Sequence, residues 1–179
     1  MTRVGSVYAQ ALYDLARDEG LDDGILKELK VLREAFGQSP DFLRLLSTPN
    51  LSKDERCRIV DDSFRGRVQP YVLNFLKILT EKGYVHHFVD CCDAYREMYN
   101  EDHGILPVKV VTAVPLTEDQ SDRLSTKLGA ITGKNIELEK VVDPNCIGGV
   151  RLDYDGKRMD DTVQHRLDAV RSLLKNTML

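Results

Sequence analysis

The apolar residues of this chain change their spacing once, near Ile105, and that change limits the fold more than any other feature of the sequence. Ahead of Ile105 they recur at intervals of three and four, the period of helices that each bury one face. Past Leu106 the run Val108-Lys109-Val110-Val111-Thr112-Ala113-Val114, bounded by Pro107 and Pro115, is rich in β-branched residues and predicts a strand. Bundled helices and strands of a sheet need different layers, so the switch marks a domain boundary. The expected fold is α+β overall: a six-helix bundle over 1–105 and a small α+β domain over 106–179. A chain of 179 residues has room for two small domains.

In the bundle, Val4, Val7, Tyr8, Ala11, Leu12 and Leu15 form the predicted core stripe of the first helix, and Ile25, Leu29, Leu32 and Phe36 that of the second. Ser39-Pro40 opens a short third helix, and Ser52 with Glu55 makes a capping box for the fourth. A fifth is expected from about Val68 to Lys82, stopped by Gly83, and a sixth from Tyr84 to about Asp102. In the second domain, Thr117 and Gln120 form another capping box for a helix that stops at Gly133. Ile136 to Val142 and Ile147 to Tyr154 predict further strands, and Asp155-Gly156 a type I′ hairpin turn. A last helix is expected to begin near Asp160 or Asp161 and to carry Val163, Leu167, Val170 and Leu174, one apolar residue per turn.

Several chemistries are suggested locally and fail on spacing. A net charge of -4, with no basic stripe in either half, argues against a nucleic-acid footprint. No apolar run reaches membrane-spanning length and the first residues lack a signal-peptide core, so membrane association is expected only through partners. The four cysteines show no paired spacing, which points to a reducing compartment. His87 and Cys91 stand one helical turn apart, but a structural zinc site wants four ligands and no second pair is spaced to supply them. Gly129 to Asn135 is one residue short of a phosphate loop and lacks its magnesium-binding hydroxyl, so a helix stopped by glycine is the better account. Asp160-Asp161 reads as a helix cap rather than an acid-base pair. Neither a catalytic constellation nor a cofactor is expected.

The fifth helix carries more apolar surface than one core needs. Val72, Leu76 and Leu79 form a core row, and Phe75 and Ile78 a second row beside it. The first helix has the same surplus. Either these helices are central in the bundle, or together they line a groove for a foreign amphipathic helix.

Two segments also carry a family resemblance. Tyr8-Ala9-Gln10-Ala11-Leu12-Tyr13-Asp14-Leu15-Ala16 looks like the opening helix of the ATP synthase delta subunit family, which includes the mitochondrial oligomycin-sensitivity-conferring protein. Asp143 to Leu152, with its Gly148-Gly149 pair, followed by Met159-Asp160-Asp161-Thr162-Val163 and Arg166-Leu167, resembles that family's C-terminal signature. Cys146, Asp153 and Thr162 depart from its usual residues.

The resemblance implies a non-catalytic stator subunit of an F-type ATP synthase at the cytoplasmic face of a bacterial plasma membrane. In such a subunit the N-terminal domain grips the N-terminal helix of an alpha subunit and the C-terminal domain meets the stalk b subunits. The residues then expected at the alpha-subunit helix are Tyr8, Ala11 and Leu15 with Phe75, Ile78 and Leu79; Leu167, Val170 and Leu174 are expected at the stalk. The competing readings are a helical adaptor outside the ATP synthase and a small thiol or metal enzyme built on His87 and Cys91.

Overall fold

A computed structural model describes residues 2–48 and 51–167. The chain divides into two compact units, Met1–Tyr99 and a second beginning at Asn100, so the division falls inside the last helix of the first half. Each has its own hydrophobic core.

The first unit is built from α1 (Arg3–Asp18), α2 (Asp22–Gln38), α3 (Pro40–Ser47), α4 (Lys53–Phe64), α5 (Pro70–Lys82) and α6 (Phe88–Asp102), with a 3-10 turn at Val85–His87 leading into α6. Chemistry at the helix ends explains these limits. Ser52 accepts from the Glu55 amide while the Glu55 carboxylate accepts from the Ser52 amide, which satisfies two of the amides that begin α4. Pro70 opens α5, where its missing N–H costs nothing, and Gly83 ends it in the left-handed region. Helix α5 therefore starts later than its apolar pattern suggests, because Pro70 disfavours helical geometry at Gln69.

One core runs through all six helices. Ile25, Leu29, Leu32 and Phe36 of α2 enter it as their spacing predicts. At its centre Phe88 is fully buried, with the Phe36 ring 4.8 Å away edge-on and the Phe75 ring at 6.5 Å. Tyr13 and Tyr95 meet edge to face at 5.2 Å, and the Tyr95 hydroxyl donates to the Asp22 carbonyl at 3.0 Å, which satisfies the one polar atom of a buried ring.

The second unit holds a four-stranded sheet in the order β2-β1-β3-β4, formed by β1 (Ile105–Thr112), β2 (Asn135–Val142), β3 (Val150–Tyr154) and β4 (Lys157–Asp160). Helix α7 (Glu118–Thr132) connects the parallel pair β1 and β2, and β3 and β4 form an antiparallel hairpin. Asp155 and Gly156, both at positive φ, make the tight turn. Leu106, Val108 and Val110 alternate onto one face with Ile136, Leu138 and Leu152, and Leu124 and Leu128 of α7 complete this smaller core.

Strand β1 begins earlier than expected and includes Pro107. That residue pairs with Glu137 of β2 only, since β3 first joins β1 at Lys109, so the absent N–H breaks no ladder bond on the β3 side. The last helix also starts later than expected, at Val163. Thr162 caps it by accepting from the His165 amide, and Asp160 accepts from the Thr162 amide and hydroxyl, so the aspartate acts one step removed from the cap.

Candidate partner-binding site

Helix α1 has two apolar faces, and the structure uses them in the opposite sense from the simplest reading of the stripe. At 100° per residue, Gly5, Ala9, Leu12, Tyr13 and Ala16 share one side, and these are the buried residues. Val4, Val7, Tyr8, Ala11 and Leu15 share the other. Val7 is 62% exposed and Leu15 41%, Ala11 is exposed, and Val4 and Tyr8 are half-buried at the margins. Of the expected core stripe only Leu12 is buried. Gly5 helps explain the choice: it lets α1 approach α6 so closely that an added Cβ would stand 2.8 Å from the Asp90 Cβ.

The expected α5 contacts divide. Val72, Leu76 and Leu79 are the core row, with Leu79 fully buried, and Phe75 is also sealed inside at 6% exposure. Neither Phe75 nor Leu79 presents a surface to a partner in this conformation, because the Phe36 and Phe88 cluster consumes the apolar surplus of α5 on that side. Ile78 faces outward at 45% exposure. It stands near the end of α5, where the Tyr84 amide donates to the Leu79 carbonyl at 2.7 Å and closes the helix. The Tyr84 ring lies 5.9 Å from the Tyr8 ring, which joins the outward face of α1 to the C-terminal end of α5. Tyr8, Ala11, Leu15 and Ile78 are thus surface residues; Val7 and Tyr84 join them.

The start of α1 is also tied to α6. The Thr2 hydroxyl donates to the Asp90 carboxylate at 2.7 Å and accepts from the Gly5 amide as the N-cap. The hydrogen bond from Thr2 is the main cause that holds the Asp90 carboxyl below the usual aspartate range.

In the second unit Leu167 is 56% exposed and Val163 partly so; Val170 and Leu174 lie outside the described residues. Residues that suggested a phosphate loop or a thiol site serve the fold instead. Gly133 is a left-handed cap of α7. His87 directs Nδ1 at Thr2 and Asp90, and burial pushes the Cys91 thiol up to about 11, far from a reactive thiolate.

The model of the ATP synthase delta (OSCP) subunit family matches residues 4–174. The chain belongs to that family. Two relatives named ATP synthase subunit delta are similar over almost their whole length. That of Clostridioides difficile (strain 630) is 32% identical over 176 residues, covering 98% of this chain and 97% of the relative. That of Desulfitobacterium hafniense (strain DSM 10664 / DCB-2) is 34% identical over 169 residues, 94% of each. The fold is likewise that of a chain in the Toxoplasma gondii mitochondrial ATP synthase hexamer, with a TM-score of 0.73 at 19% identity over 97% of this chain and 98% of that one. As a delta (OSCP) family member, the chain is a structural, non-catalytic stator subunit of an F1F0 ATP synthase, which removes the adaptor and thiol-enzyme readings. No helix among the described residues is long and apolar enough to cross a membrane.

Proposed function

We propose that the outward face of α1, with Ile78 at the end of α5, takes the amphipathic N-terminal helix of an alpha subunit and so fastens this subunit to the catalytic head. The observation that carries the proposal is the second apolar face of α1, where Val7, Ala11 and Leu15 stay in water although the opposite face already supplies the core. A contiguous apolar stripe that the fold does not consume is the ordinary mark of a helix-binding surface. Phe75 and Leu79 enter this reading only as buried core residues of α5, the Leu79 carbonyl holding the Tyr84 amide. The first unit, a helical bundle, is then the head-binding module. The second meets the b subunits of the peripheral stalk through Leu167, Val170 and Leu174. Held from both sides at the cytoplasmic face of a bacterial plasma membrane, the head resists rotor torque, and ion flow is coupled to ATP synthesis.

Tyr8→Ala and Leu15→Asp test the docking face by calorimetric titration of the full chain into catalytic heads stripped of this subunit. An aromatic anchor contributes about 2 kcal/mol, so Tyr8→Ala should weaken binding roughly thirtyfold while the protein stays folded. Wild-type affinity in both variants would exclude this face. Deleting residues 163–179 should abolish stalk association and spare head binding; loss of both, or of neither, would overturn the division of labour.

A further inference from the structure

The geometry points to Asp90 as the positioning residue that sets the rotation of α1 and thereby aims its outward apolar face at the partner helix. The inference rests on the docking reading above and deepens it. Helix α1 has no acidic residue in its own first turn, so nothing local complements the positive end of its dipole. Asp90, in the first turn of α6, supplies that charge across 88 residues of sequence by accepting the Thr2 hydroxyl at 2.7 Å. One carboxylate thus lies at the start of two helices.

Thr2 has a single hydroxyl proton, and it donates that proton's hydrogen bond to the Asp90 carboxylate. The lone pairs of Thr2 Oγ1 are left for the Gly5 amide at 3.3 Å and for Nδ1 of His87, also at 3.3 Å, which makes Nδ1 the donor in that contact. The N-cap of α1 is therefore oriented by α6 and not by α1 itself. The two segments run close together: a Cβ added at Gly5 would stand 2.8 Å from the Asp90 Cβ and 3.3 Å from its carbonyl carbon. One turn further along α1, Tyr8 rests against Tyr84.

A cap fixed in direction, with a glycine seated against the residue that fixes it, leaves α1 one rotational setting. A turn of one residue, 100°, would carry Val7 and Ala11 towards the core and Ala9 out of it. The hydrogen bond at Asp90 acts on the docking face through α1 and touches no partner.

The test combines amide exchange with head binding in the full-length chain. Asp90→Ala should raise exchange across Gly5 to Ala9 about tenfold, leave Leu76 to Thr80 unchanged, and weaken head binding about fivefold, the effect of losing a helix cap. In a Tyr8→Ala background the same substitution should weaken binding less than it does in the wild type, since both act through one face. Asp90→Asn, which still accepts from Thr2, should restore most of the affinity. Unchanged exchange over Gly5 to Ala9 would overturn the proposal, as would a loss of affinity fully additive with Tyr8→Ala. If Tyr8→Ala weakens head binding and Asp90→Ala does not, the positioning role falls alone. If neither Tyr8→Ala nor Leu15→Asp weakens head binding, the docking reading falls and takes this inference with it.

Discussion

Gly149 runs so close to Asp161 that a Cβ at Gly149 would stand 2.3 Å from the Asp161 carbonyl oxygen. The residue also sits at φ +82°, where a side chain is strained even in open space. Two backbone bonds hold the segments together on either side: the Asp161 amide donates to the Val150 carbonyl and the Val163 amide to that of Gly148. Gly149 is thus a packing requirement at the start of the last helix, and its neighbour Gly148 is not. Gly149→Ala should destabilise the second unit by more than about 2 kcal/mol, since the left-handed backbone alone costs about 1–2 and the carbonyl must also move. At Gly148 the added Cβ would make only an ordinary contact with Val163, so Gly148→Ala should stay within about 1 kcal/mol of wild type. Urea unfolding followed by circular dichroism compares the two.

Phe75 is a core residue, so its truncation should register as lost stability. Phe75→Ala removes a buried ring beside Phe88 and should cost about 3–5 kcal/mol. Ile78→Ala, three residues on and facing water, should cost less than about 1 kcal/mol and instead weaken head binding. Denaturation midpoints and calorimetry on the same two variants separate core from surface on α5.

The hydrogen bonds from the Thr162 hydroxyl and amide hold the Asp160 carboxyl below the usual aspartate range. A depressed folded value means that the unfolded chain takes up the proton first. The stabilisation from Asp160 is therefore fully present above the unfolded value, about pH 4, and is lost as the pH falls through the lower folded value. Asp160→Asn should flatten the acid limb of the stability profile, measured as the urea midpoint between about pH 2 and pH 5.

Burial raises the thiols of Cys91 to about 11 and of Cys92 to about 12, and both side chains lie in the bundle core. Cys57 is only partly buried. Iodoacetamide at about pH 8, just below the ordinary thiol value, followed by peptide mass spectrometry, should label Cys57 first and reach Cys91 and Cys92 only with denaturant. Rapid labelling of Cys91 in the native protein would contradict the packing around α6.

Much of the architecture was legible because it is written in local chemistry. The capping boxes at Ser52 and Thr117, the stops at Gly83 and Gly133 and the Asp155-Gly156 turn each act within a few residues, and all occur where the sequence places them. The change of period near Ile105 likewise identified the α+β class, and the segments at Tyr8 and Asp143 pointed to the family. Tertiary contacts alone decided which of two apolar faces on α1 goes inside. Periodicity describes both Val4-Tyr8-Ala11-Leu15 and Gly5-Ala9-Leu12-Ala16 equally well, and the choice depends on how closely α6 can pack against Gly5. The burial of Phe75 was settled the same way, by the Phe88 ring of the next helix, which itself packs against Phe36 of α2. Short-range hydrogen bonds are encoded in neighbouring residues, whereas the side of a helix that meets water depends on surfaces brought from elsewhere in the chain.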